Sequence, residues 1–279
     1  MKFTEIEAKE PLNKLKNKFL PYQYDLNIYR GCSVGCKYCY AMKSHDYLEG
    51  QSFVDDIFVK TNIAEALEQK LSSPNWEGGR INIGGVCDSY QHAEKKYQLM
   101  RDVLKLMIKY KNPITISTKS DLITRDLDLI EELTHCTDFN IAMCITSCDE
   151  KLSKALEPGA SLPIKRFEAL KEISRTGATT GLHIMPILPF LADDETTLET
   201  LVRWAKEAEA TYMLTGTLYL TGGIKKRYLS FVKEHYPHLY SEYLRLYPKG
   251  SASKEYKNKI HGFLGEMREK YGVNTYYNR

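Results

Sequence analysis

The 279-residue sequence has no run of about 18 apolar residues, so no membrane-spanning helix is expected. Its first 19 residues, with acids early and no apolar stretch, do not make a secretory signal. A cytoplasmic, reducing location is the expectation that follows. No internal repeat underlies the chain, which argues against a solenoid or propeller. From residue 224 onward there is no cysteine, so that segment offers no thiolates to a second metal site. It has no aspartate either: 12 Lys/Arg stand against 5 Glu, and the net charge of +3 hides a basic tail behind an acidic remainder.

What is present is a chain long enough for one barrel-sized domain and a substantial core. At 43% hydrophobic and 27% charged residues, its composition is that of an ordinary globular protein. Seven cysteines are an odd number, and Cys32, Cys36 and Cys39 fall within eight residues. In a reducing compartment such clustering points to a metal or cluster site and away from a disulfide framework. Gaps of three and two residues let one short loop wrap three thiolates around a small inorganic core, and three protein ligands on a four-iron cluster leave one iron open. The competing reading is a zinc site, with His45 as fourth ligand and the Cys144/Cys148 pair as the remnant of a second half.

Along the chain, residues 1–24 read as a lead-in interrupted by Pro11 and Pro21. Strands are expected at 25–29, 80–86, 113–118, 139–146, 181–189 and 212–220. Helices are expected at 57–71, 94–111, 126–133, 165–175 and 196–208. Six alternations of strand and helix imply a parallel sheet closed as a partial barrel. The cysteine loop follows the first strand, at the end where barrels carry their chemistry. The domain reading is therefore a lead-in at 1–24, a partial barrel at 25–223 and a helical extension at 224–279, with helices at 225–235, 239–246 and 253–271. That extension holds nine of the twenty tyrosines. A basic, tyrosine-rich segment suits a nucleic-acid backbone and its bases; the alternative is a set of amphipathic helices with Tyr in the core and Lys at the surface.

The stretch Gly31 to Tyr40, with an aromatic at Tyr38 before the third cysteine, resembles the cluster motif of radical S-adenosylmethionine (SAM) enzymes. Further motifs are similar to those of the spore photoproduct lyase and DNA repair photolyase-like group. They are Gly84-Gly85-Val86-Cys87-Asp88-Ser89-Tyr90-Gln91, Thr118-Lys119-Ser120 with Arg125-Asp126-Leu127, and Leu156-Glu157-Pro158-Gly159 with Arg166. The likeness covers about residues 25–190. It implies a fold of the α/β class, a partial (β/α)6 TIM-type barrel of the radical SAM kind with a helical C-terminal extension. It also implies a [4Fe–4S] cluster on Cys32, Cys36 and Cys39 that reductively cleaves SAM to a 5′-deoxyadenosyl radical, which abstracts hydrogen from substrate. An electron donor such as flavodoxin or ferredoxin would serve it.

By the same resemblance Tyr38 would lie against the adenine, Gly84 and Gly85 would receive the methionine amino group, and Lys119 would pair with the SAM carboxylate. Cys144 aligns with a serine that contacts SAM in relatives, the alternatives being a thiol hydrogen donor and a plain core residue, and Arg166 would reach SAM or anchor Glu157. Val86 replaces the acid of the usual Gly-Gly-Glu strand end, which leaves backbone carbonyls to do its work. Spore photoproduct lyases return a hydrogen atom from a cysteine that aligns here with Gly85. Cys87, two residues on and on the same face of an extended strand, is the candidate donor. Tyr40 matches a radical-relay tyrosine. Asp88, at a strand's C-terminal end, is a candidate either for a substrate role or for supporting the residues that make contact, whereas His183 reads as structural. The expected function is a radical SAM enzyme acting on damaged or modified nucleic acid. Alternatives are the same chemistry on a peptide, tRNA or small metabolite, and a non-enzymatic metal- or nucleic-acid-binding protein.

Overall fold

The computed structural model describes residues 1–45, 48 and 50–275. Its first elements are β1 (Lys2–Ile6), β2 (Leu12–Lys14), β3 (Tyr24–Leu26), β4 (Tyr29–Arg30) and β5 (Asp56–Lys60). The lead-in is thus structured. β1 runs parallel to β5, whose other edge takes β4, and β2 pairs antiparallel with β3. The strand expected at 25–29 divides between two sheets. The helix expected at 57–71 begins six residues late. Ile57 and Val59 alternate inward with a period of two, the signature of a strand, and α1 spans only Ile63–Leu71.

The remaining elements follow as β6 (Ile81–Ile83), α2 (His92–Tyr97), α3 (Leu99–Tyr110), β7 (Ile114–Thr118), α4 (Leu127–Cys136), β8 (Phe139–Cys144), α5 (Glu150–Leu156), α6 (Pro163–Ser174), β9 (Thr179–Ile187), α7 (Glu195–Glu207) and β10 (Tyr212–Thr217). The helix expected at 94–111 is two helices. Gln98 adopts φ 51°, and the Glu94 carboxylate turns back to accept from the Met100 N–H at 3.0 Å, capping α3. The short helix α5 escaped the sequence reading. Asp149 caps it, accepting from the Lys151 and Leu152 N–H groups.

β3, β6, β7, β8, β9 and β10 pair in that order, all parallel, with β2 added at the β3 edge. This is the six-stranded partial barrel anticipated from the alternation of elements. Its outward residues, among them Ile81, Ile83, Ile114, Ile116 and Ile141, are fully buried, each contributing about 2–3 kcal/mol of hydrophobic stabilisation.

Three further helices follow among the described residues: α8 (Gly222–His235), α9 (Tyr240–Leu246) and α10 (Lys254–Tyr271). They attach in two ways. Tyr228, Phe231, Val232 and Tyr243 form a second core with Leu152, Leu156 and Leu188, whereas Ile260 and Leu264 of α10 join the main core. Tyr228, Tyr243 and Tyr247 are buried completely, and Tyr236, Tyr240, Tyr256 and Tyr271 partly. Tyr276 and Tyr277 lie outside the described residues. No helix among the described residues is long and apolar enough to cross a membrane.

Candidate active site at the mouth of the barrel

The cysteine loop follows β4 and is fixed from several sides by backbone. The Cys32 N–H donates to Phe53 O at 2.8 Å and the Lys37 N–H to Leu156 O at 2.9 Å. Gln91 spans the loop, accepting from the Ser33 N–H at 2.8 Å and donating to Gly31 O at 3.1 Å. Two glycines make this path possible. Gly31 holds φ 84°, and Gly159 presses against the loop so closely that a Cβ would lie 2.0 Å from Ser33 O.

Cys32, Cys36 and Cys39 line one cavity of about 940 Å³ inside the barrel. Burial raises the pKa of all three thiols, with Cys36 adding to the shift of Cys32 and Cys39 to that of Cys36. Without a cation the neutral thiol is therefore the stable form, and a bound cluster would deprotonate it. Backbone donors already address the sulfurs. The Asp88 N–H lies 3.3 Å from Cys32 Sγ, and the Ala41 and Met42 N–H groups favour the Cys39 thiolate. Such hydrogen bonds suit an iron–sulfur cluster. Among the described residues no three His, Cys, Asp or Glu side chains converge on a single metal-ion position. His45, which the zinc reading needs, packs edge-on against Phe53 away from the cavity, and Cys148 does not line it.

Beside the thiols lies a buried charge cluster centred on Glu157. Its carboxylate is 3.0 Å from Lys119 Nζ and 2.6 Å from Arg166 Nη2, and it accepts from the Tyr38 hydroxyl. Burial pushes the Glu157 pKa up, but Lys119 and Arg166 outweigh it and hold the carboxyl at about 2. Burial likewise opposes the Lys119 charge, and Glu157, with Cys144 and Cys36, overcomes it to leave the pKa raised. Two cations on one anion leave a net positive charge facing Cys36, which suits an anionic cluster or carboxylate.

The other sequence-derived candidates divide by position. Tyr38, Gly84, Gly85, Lys119 and Cys144 all line the cavity with the three cysteines. Arg166 does not: its guanidinium is 1% exposed and is engaged by Glu157, Ser161 O, Cys144 O and Ser153 Oγ. Of its two expected roles the structure has it anchoring Glu157. Gly84, at φ 94°, ends the strand early, so β6 stops at Ile83.

The extended-strand alternation that would put Cys87 on the face of Gly85 consequently does not hold. Cys87 nevertheless lines the cavity, with its Sγ 3.4 Å from Tyr29 O and its pKa pushed up to about 12 by burial. Asp88 accepts from Thr118 Oγ1 and from the Lys119 N–H, both at 2.7 Å, so it fixes the segment that carries Lys119. Tyr40 is 67% exposed and donates its hydroxyl to Gly85 O, tying the cysteine loop to the glycine turn.

The sequence reading missed the deeper lining residues Asn82, Asn140 and Tyr212. A signal was available in Ile81-Asn82-Ile83 and Phe139-Asn140-Ile141, where a lone amide inside an apolar strand must face the opposite side from its neighbours. Phe19 and Tyr219, lining the mouth beside Tyr40, were also missed; they are 98% and 61% exposed.

Comparison with known proteins bears on the whole of this arrangement. Residues 26–201 match the model of the radical SAM superfamily. The uncharacterized Mycobacterium tuberculosis protein Rv2578c is 33% identical over 252 residues, 89% of this chain and 74% of the relative. The uncharacterized protein MJ0683 of Methanocaldococcus jannaschii is 34% identical over 195 residues, 68% of this chain and 70% of its own. Among solved structures, spore photoproduct lyase complexed with dinucleoside spore photoproduct superposes with a TM-score of 0.69 at 14% identity. That match covers 99% of this chain and 82% of the lyase. Streptococcus suis SuiB bound to SAM gives a TM-score of 0.58 at 14% identity, covering 91% of this chain and 50% of SuiB. At such identities these two likenesses speak to the fold. With its family-model match spanning most of the barrel, the chain belongs to the radical SAM superfamily.

Proposed function

We propose that this protein is a radical SAM enzyme in which Cys32, Cys36 and Cys39 hold a [4Fe–4S] cluster, and that its substrate is damaged or modified nucleic acid. The observation that carries the first part is the convergence of three cysteine thiols, those of Cys32 and Cys36 buried and that of Cys39 half-buried, with Lys119 and the Gly84-Gly85 turn on one cavity at the C-terminal end of the parallel strands. Bound there, the cluster and SAM would supply one-electron cleavage of the sulfonium and abstraction of a hydrogen atom. The chain's own residues do the rest. Lys119 presents positive charge to a carboxylate, Asp88 fixes the Lys119 backbone, and Arg166 keeps Glu157 ionised so that Lys119 stays oriented. Cys87 and Tyr40 are the residues we assign to hydrogen return and radical relay, supported by their positions on the cavity wall. A flavodoxin or ferredoxin is the matching electron donor.

The substrate reading is supported by the mouth. Phe19, Tyr40 and Tyr219 expose their rings there, and exposed aromatic faces stack on bases with little regard to sequence. The tail tyrosines lend it less, because those described are buried or half-buried. The structural neighbour with a dinucleoside photoproduct bound agrees with it in fold. The test is anaerobic turnover with a thymine-dimer dinucleotide and with irradiated duplex DNA. Formation of 5′-deoxyadenosine coupled to a change in either substrate is expected. Turnover of SAM that leaves both unchanged would reject nucleic acid.

A further inference from the structure

Below the cysteines the barrel interior is polar where branched apolar layers are usual. Strand register brings Asp25, Asn82, Thr115 and Asn140 into one row across four adjacent parallel strands. Asn140 stands four residues before Cys144 on β8, roughly 13 Å further down the strand. That depth leaves room for a cofactor above and a substrate ring below.

At one side of this row a hydroxyl organises two side chains. Tyr212 reaches across from β10 and donates to Asn140 Oδ1 at 2.9 Å. Glycine at position 181 makes this possible, since a Cβ there would lie 2.2 Å from Tyr212 Cζ. His183 Nε2 lies 3.2 Å from the same hydroxyl. With the phenolic proton committed to Asn140, the imidazole donates from Nε2 and keeps Nδ1 as an acceptor. Burial, and then Lys119, lower the His183 pKa to about 4, so the ring is neutral near pH 7.

Asn140 is 1% exposed and lines the cavity. Its Oδ1 also lies 3.5 Å from Thr115 Oγ1, but its Nδ2 has no partner. A buried amide donor left without a partner is a costly arrangement that needs a reason, and a ligand carbonyl supplies one.

We propose that Asn140 and His183 are specificity-determining residues that take the lactam edge of a neutral ring, C=O to Asn140 Nδ2 and N–H to His183 Nδ1. A cis amide, as in a ring, turns both groups to the same side. A trans peptide turns them apart, so an extended peptide cannot make both bonds at once. The proposal rests on the reading that this cavity holds the substrate.

The experiment is an NMR titration of the full chain, as purified, with three probes. They are δ-valerolactam, N-methylacetamide, which is a trans amide, and tetrahydropyran, a ring without an amide. The lactam should bind most tightly, and Asn140→Leu should weaken it about tenfold, the effect of one hydrogen bond. Asn140→Asp, of the same shape but with an acceptor in place of the donor, should weaken it as much, which guards against misfolding of the leucine variant. Tetrahydropyran binding should not respond to either substitution. Lactam binding unchanged in both variants would overturn the proposal. So would N-methylacetamide binding as tightly with the same dependence on Asn140. SAM cleavage by the unsubstituted protein is measured in parallel. Its absence would reject the radical reading, whereas Asn140-dependent lactam binding is scored without it.

Discussion

At the rim of the cavity three cysteines share one short loop, held by backbone hydrogen bonds and by glycines at 31 and 159. At its floor Asn82, Asn140, His183 and Tyr212 arrive from four strands far apart in sequence. The rim is charged, with Lys119, Glu157 and Arg166 in contact out of water. Around Asn140 the floor is neutral, linked through one phenolic hydroxyl. The rim is thus suited to hold and orient ions and electrons, and the floor to distinguish one uncharged group from another.

Substitutions can break this contrast at either end. Cys36→Ala removes a rim thiolate and should abolish both brown colour and SAM cleavage, as read by absorbance and 5′-deoxyadenosine assay. Glu157→Gln leaves Lys119 and Arg166 as uncompensated buried cations and should cost about 3–5 kcal/mol in denaturant unfolding. An equally stable variant would mean that the rim charges are not coupled. The floor should instead show itself through pH. The folded His183 pKa, at about 4, lies below its unfolded value of 6.5. The unfolded chain therefore binds the proton first, and stability falls as pH drops from 6.5 to 4, by roughly 2–3 kcal/mol from this group. His183→Gln should flatten that slope. Tyr219→Ala, at the mouth, should change stability by less than about 0.5 kcal/mol while weakening binding of a single-stranded oligonucleotide by about tenfold or more.

The same contrast governs what the sequence discloses. The rim motif is local, so Cys32, Cys36 and Cys39 announce a site from spacing alone, and the strand–helix alternation announces the barrel around them. Lys119, Gly84 and Gly85 are assigned by resemblance, and they do line the cavity. The floor depends on register between strands. Asn82 and Asn140 are single amides inside isoleucine-rich strands, and nothing local says that they share a row. Arg166 was ambiguous because an arginine's partner is set by tertiary packing, here Glu157. Two helices were misread where a tertiary contact overrides periodicity. β1 draws 56–60 into a sheet, and the Glu94 cap at Met100 divides one apolar stripe into α2 and α3. The face assigned to Cys87 was misjudged because Gly84 ends its strand two residues before the alternation could apply.

The central claim is that the rim thiols hold a four-iron cluster. Iron and acid-labile sulfide in anaerobically reconstituted protein test it most directly. The account predicts about four of each per chain, together with a visible absorbance that bleaches under dithionite as 5′-deoxyadenosine forms from SAM. A chain that binds one zinc, or that retains iron and sulfide unchanged when Cys32, Cys36 and Cys39 are all replaced by alanine, would contradict it.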